Sequence, residues 1–148
     1  MTDIFEPIAF HYDVSGDNFT SAGEASVSVK KQLRKLGISP EIIRRVSIAM
    51  YEGEINMVIH AGGGEATVEV DPDKVEILLV DHGPGIADVN KAMQEGWSTA
   101  PDNVRSLGFG AGMGLPNMKK YSDEMTIDSV VGEGTKLKMI IYAQSTKI

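Results

Sequence analysis

The residues with the types and spacing to do chemistry begin with Glu52 and Asn56, in the run SPEIIRRVSIAMYEGEINMVIHA from Ser39 to Ala61. On a helix, residues four apart lie about 40° from one another, so this carboxylate and amide point the same way. Ile48, Ala49, Ile55 and Ile59 share their side, and Val46, Met50 and Met57 widen it into an apolar arc. Polar groups in a buried stripe are costly unless something pairs with them. Two readings follow. One is a core pair satisfied by backbone groups or water. The other is the floor of a pocket, where an amide oxygen suits Mg2+ and a carboxylate one turn away orients or deprotonates a nucleophile. Glu54 sits about 160° from Glu52 and should face away. His60 is read as a helix-end histidine favoured by the dipole.

Three further clusters stand out. Asp81–His82–Gly83–Pro84–Gly85 ends an apolar stretch. A carboxylate there can accept from an exocyclic amine such as adenine N6, and Gly85 lets a flat ring approach the backbone. The plain alternative is a Gly/Pro turn leaving a strand. Gly108, Gly110, Gly112 and Gly114 alternate through GFGAGMGLP and lead into a helix, an arrangement whose backbone amides and helix N-terminus suit phosphate. A dinucleotide fold would need a strand before this loop, and a polar segment stands there. A P-loop would need Lys then Ser or Thr after the glycines, and Leu115–Pro116 stand there. Gly134–Thr135 can place a hydroxyl at a base edge, or simply close a hairpin.

The elements that must position these residues are legible from period and punctuation. Ser39 caps the central helix, Pro40 opens it, and Gly62 to Gly64 end it. Residues 6–14 alternate as a half-buried strand. A helix capped by Thr20 or Ser21 follows, with Ala22, Ala25, Val29, Leu33 and Leu36 inward, Lys30, Lys31, Arg34 and Lys35 outward, and Gly37 as its stop. The basic run reads as a solvated face or as a docking surface for an acidic partner. Residues 66–70 and 75–80 form a hairpin about Asp71–Pro72–Asp73, and the second strand is apolar enough to be interior. A short helix over 88–95, a long loop over 96–111, a helix over about 113–121 and a hairpin of 125–131 with 136–142 complete the chain. Adjacent strands with tight turns predict a mixed, largely antiparallel sheet with helices on one face, an α/β two-layer sandwich.

The 148 residues fit a single domain spanning 1–148 and can bury a sizeable core. The net charge of −7 argues against a dedicated nucleic-acid binder. With no cysteine there is neither a disulfide framework nor a thiolate site. The N-terminus shows no signal-peptide pattern and no stretch of about 18 apolar residues occurs, so the expectation is a cytoplasmic protein without a membrane partner.

Taken together and in order, Glu52-x-x-x-Asn56, Asp81-x-Gly83-x-Gly85, the Gly108–Gly114 series and Gly134–Thr135 resemble the N, G1, G2 and G3 boxes of the GHKL ATPase superfamily. Gly96–Trp97–Ser98–Thr99 and the run Gly112 to Met118, continuing to Asp123–Glu124, look most like its small serine/threonine kinases of the anti-sigma and stress-switch type. The resemblance implies the Bergerat ATP-binding fold, with ATP and Mg2+ as cofactors. It implies Asn56 as the metal ligand and Glu52 as the general base. Asp81 would read adenine N6, with Gly83, Gly85 and Thr135 beside the base. Residues 96–111 would form a lid, from which Arg105 reaches the terminal phosphate. Gly108, Gly110, Gly112, Met113 and Gly114 would line the phosphates. Met57 departs from the small residue the family often has after the asparagine. No room remains for the helical hairpin a histidine kinase needs. The implied partners are a STAS-like anti-sigma-factor antagonist as substrate, then a sigma factor or phosphatase, with a homodimer admissible. The implied alternative is a nucleotide-gated module that sequesters a sigma factor or activates a phosphatase with little catalysis.

Overall fold

The computed structural model describes residues 7–16, 23–86, 88–93 and 114–143. Its elements run β1 (Ile8–Ser15), α1 (Glu24–Lys35), α2 (Pro40–Ala61), β2 (Gly63–Val70), β3 (Lys74–Asp81), α3 (Val89–Ala92), α4 (Gly114–Tyr121), β4 (Glu124–Val130) and β5 (Gly134–Tyr142). The strands form one sheet in the order β1-β2-β3-β5-β4, and every described pairing is antiparallel. The apolar strand β3 is therefore central, as its composition predicts. Asp71 makes the β2–β3 turn: its Oδ1 accepts from the amides of Asp73 (2.7 Å) and Lys74 (2.9 Å).

Side-chain alternation divides the sheet into a covered and an open face. Ala66, Val68, Val70, Val75, Ile77, Leu79, Leu137, Met139 and Ile141 are buried, and the helices lie against them. The other face carries residues such as His11, Asp13, Glu65, Glu69 and Lys136, all exposed to solvent.

The helix α2 spans the layer. The Ser39 hydroxyl accepts from the Ile42 amide at 3.4 Å, Pro40 sits in the first turn, and Gly62 ends the helix with φ 73°. Its side chains are buried against more than one neighbour. Val46, Ala49 and Met50 join the core, and Arg45 is also buried, its Nη2 lying 3.5 Å from Asp123 Oδ1. The Asp123 carboxylate in turn accepts from the Tyr142 amide at 2.8 Å, which ties α2 to the edge where β4 and β5 meet.

The start of α1 differs from expectation. Thr20 and Ser21 lie outside the described residues, and the residue before the helix is Gly23, with φ 103° and no side-chain cap of its own. The free amides are taken by a residue far along the chain. Glu54 of α2 accepts from Gly23 N (2.7 Å) and Ala25 N (3.2 Å) through Oε2 and from Ser26 N (3.1 Å) through Oε1. A carboxylate at a helix N-terminus satisfies orphan donors and meets the positive end of the dipole, which explains how Glu54 can be buried.

Candidate active site

The site is built where the C-terminal half of α2 meets the start of α4 and the end of β3. Glu52 is half-buried on α2, facing α4. Asn117 donates from Nδ2 to Glu52 Oε1 at 3.4 Å. A Cβ placed on Gly114, the first residue of α4, would stand 3.8 Å from Glu52 Oε2, so the carboxylate lies beside the mouth of that helix. Burial pushes the Glu52 carboxyl above its ordinary value, and the Asn117 hydrogen bond pulls it partway back. A carboxylate poised upward in this way is closer to the working range of a general base than a fully solvated one. Asn56, also half-buried, is one turn further along the same helix.

The second half of the site is organised by Asp81, buried at the last position of β3. Its Oδ1 accepts from Gly83 N (3.0 Å) and Thr135 N (3.2 Å), so one oxygen orients the carboxylate and Oδ2 has neither of these bonds. Asp81 and Thr135 are direct partners across β3 and β5, and Thr135 faces Ser129 of β4. The hydroxyls of Thr135 and Ser129 lie 2.8 Å apart, and Ser129 Oγ also accepts from Ile86 N at 2.7 Å. Three neighbouring strands thus deliver a row of polar groups to one end of the sheet and hold the loop after β3 against it.

Two glycines of that loop are required by contact rather than by composition. A Cβ on Gly83 would meet Ala61 Cα at 2.6 Å, which means that the end of α2 presses directly on the turn after β3. This contact brings the helix of Glu52 and Asn56 to the strand end of Asp81. Gly85 has φ 77°, where an L side chain is strained, and its Cβ would approach Val130 O at 2.5 Å.

The residues around the site can be matched to a known family. The profile of the histidine kinase-like ATPase domain matches residues 18–141. The chain belongs to that family. An ATPase domain implies ATP binding, and the antiparallel sheet with helices on one face agrees with the GHKL fold. Among named relatives, the serine/threonine-protein kinase RsbT of Bacillus subtilis (strain 168) is 34% identical over 111 residues, covering 72% of this chain and 77% of the relative. The anti-sigma F factor of Pasteuria penetrans is 30% identical over 140 residues, covering 87% and 90%. That of Thermoanaerobacter sp. (strain X514) is 33% identical over 112 residues, covering 72% and 75%.

The candidate residues that are described fall into two groups linked by α2. Glu52 and Asn56 share a face of the helix, with Gly114 next to Glu52. Asp81, Gly83, Gly85 and Thr135 surround the end of β3. Arg105, Gly108, Gly110, Gly112 and Met113, with the expected lid over 96–111, lie outside the described residues. Hard oxygen donors are what Mg2+ selects, so an amide oxygen at Asn56 fits that ion.

The structure also adds to and corrects the reading. Asn117, which lies in the run Gly112 to Met118 without an expected role of its own, stands three residues after Gly114, where a first-turn helix residue can face the same neighbour. Glu54 does engage a different helix from Glu52, but it is buried in a capping role. Its flanks carry the signal, since Ile43, Met50 and Val58 fall within about 40° of it on the helical wheel. His60 lies in the last turn of α2, as expected of a helix-end histidine, and burial lowers its imidazole below the ordinary value. Met57 is core, with its sulfur against β2 near Gly64. A cleft of about 370 Å³ between α1 and α2, lined by Gly23, Glu24, Ser26, Val27 and Tyr51, is on the Glu54 side and contains none of the residues above.

Proposed function

We propose that this chain is an ATP- and Mg2+-dependent protein serine/threonine kinase of the anti-sigma and stress-switch type. Its substrate would be a STAS-like antagonist protein, and phosphorylation would change which partner is held in a transcriptional response. The observation that carries the reading is the Glu52 carboxylate, desolvated, hydrogen-bonded to Asn117 and set beside Gly114 one turn from Asn56. The relative named as a serine/threonine-protein kinase supports the reaction class, and those named anti-sigma F factors support the setting.

In this reading Asp81 Oδ2 accepts from the exocyclic amine of adenine while Oδ1 stays on its two backbone amides. Thr135 and Ser129 supply hydroxyls at the base edge. Asn56 would hold Mg2+ through its amide oxygen, and the ion would supply positive charge to offset that of the phosphates. Glu52 takes the proton of the incoming serine or threonine hydroxyl as its oxygen bonds to the terminal phosphorus. The bond from that phosphorus to the bridging oxygen breaks, and ADP leaves with the electron pair. Positioning and charge neutralisation account for most of such a reaction, so this small residue set suffices.

A second reading is favoured by the relatives named for sigma-factor antagonism: a nucleotide-gated binding module with little catalysis. Glu52 separates the two. Labelled ATP, Mg2+ and a STAS-like antagonist are incubated with wild type and Glu52→Gln. A kinase loses at least about 100-fold in transfer while still binding ATP. If neither protein transfers phosphate yet both bind ATP, the binding-module reading replaces the kinase.

A further inference from the structure

The geometry points to a site for a zinc-class divalent cation on the open face of the sheet, formed by His11 and Asp13 of β1 with Glu65 of β2. It is independent of the nucleotide site. His11 and Asp13 are two apart on one strand and so share a face. Glu65 is the direct cross-strand partner of Asp13, and Thr67 is that of His11. One ligand atom from each of His11, Asp13 and Glu65 lies within 4.8 Å of the others.

Three features distinguish this group from an ordinary solvated cluster. The imidazole is already oriented: its Nδ1 lies 3.1 Å from Thr67 Oγ1, which leaves Nε2 on the side of Asp13. Metal-bound histidines characteristically use their second nitrogen in this way. Nε2 lies 3.6 Å from Asp13 Oδ1. Four-coordinate zinc, with bonds of about 2.0–2.2 Å, needs ligand atoms about 3.3–3.5 Å apart. The histidine–aspartate pair is therefore nearly in place, and the widest separation closes by rotation of exposed side chains, His11 and Asp13 being 54% and 86% exposed. Finally, Asp13 and Glu65 are like charges directly opposite one another, a pairing that destabilises a sheet unless a cation sits between them.

The donor set selects the class. One imidazole nitrogen with two carboxylate oxygens suits Zn2+, Co2+ or Ni2+, whereas Mg2+ prefers oxygen donors and retains its water. Three protein ligands leave a position for water. Bound there, the ion clips the last turn of the edge strand β1 to β2.

The test titrates ZnCl2 into the full-length, tag-free protein in a non-chelating buffer by calorimetry. Wild type should bind one ion with micromolar affinity, unaffected by millimolar Mg2+. His11→Ala and Glu65→Gln should each weaken binding at least tenfold, and His82→Ala should leave it unchanged. All three positions are exposed, and circular dichroism checks that the variants fold. Zn2+ should raise the melting temperature of wild type and not of His11→Ala, and Co2+ should give a visible absorption band that His11→Ala lacks. No binding by wild type, equal binding by His11→Ala, or loss in His82→Ala would overturn the assignment.

Discussion

Glu54 and Glu52 are two residues apart and should respond oppositely to loss of charge. Glu54 is 2% exposed and holds three backbone amides at 2.7, 3.1 and 3.2 Å. Hydrogen bonds to a charged group each contribute about 1.5–3 kcal/mol, and an orphaned buried donor costs about 1–3 kcal/mol, though the terms do not simply add. Glu54→Ala leaves the start of α1 without a cap and opens a cavity, so it should destabilise by about 3–5 kcal/mol, a large part of a typical total of about 5–15 kcal/mol. Glu54→Gln keeps one acceptor oxygen but turns an amide nitrogen toward a donor, and should cost about 1–3 kcal/mol. Glu52 has the reverse sign. Its folded pKa is raised, so its contribution to stability is present below the unfolded pKa and lost as pH rises through the folded one. At pH 7 the charged form is a burden on the fold, and Glu52→Gln should be as stable as wild type or more so. Urea unfolding at pH 7 for the three variants reads both effects through the midpoint at constant slope. A Glu54→Ala protein within about 0.5 kcal/mol of wild type would refute the capping argument.

Further outcomes follow from the site. Asp81→Asn retains the oxygen that holds Gly83 and Thr135 but replaces the second acceptor, so ATP affinity measured by calorimetry should fall about 10–100-fold with little change in melting temperature. Gly83→Ala forces a methyl into Ala61 at the end of α2; stability should drop by about 1–3 kcal/mol and ATP binding should weaken with it, read by urea unfolding and by calorimetry. His60 is held neutral by burial, so its depressed pKa adds stability above the unfolded value, about 6.5, that is lost as pH falls through the folded one. The loss of stability between pH 7.5 and 5.5 should therefore be smaller in His60→Gln than in wild type.

What the sequence makes legible is local. Ser39, Pro40 and Gly62 mark the ends of α2 because caps depend on neighbouring backbone. The apolar run of β3 announces a central strand, and β2 and β5 do pair with both of its edges. The Asp71 turn is readable because its hydrogen bonds span three residues. Long-range contacts are less visible. The cap of α1 comes from Glu54, 31 residues beyond Gly23, and no local pattern around Thr20 or Ser21 reports it. The partner of Glu52 is Asn117, brought there by the packing of α4 on α2. The lowered pKa of His60 comes from burial set by the whole fold, which its place at the helix end does not report. At the site, the residue types of Glu52, Asn56 and Asp81 are conspicuous in sequence, whereas the Gly83–Ala61 contact that joins their two elements is a property of the tertiary structure.

The most direct measurement of the central idea is calorimetric titration of ATP into wild type and Asn56→Ala, each with and without Mg2+. One nucleotide site built from the end of β3 and the face of α2 predicts tight binding by wild type only when Mg2+ is present, and loss of that magnesium-dependent gain in Asn56→Ala. Equal ATP affinity in all four titrations, or none in wild type with Mg2+, would contradict it.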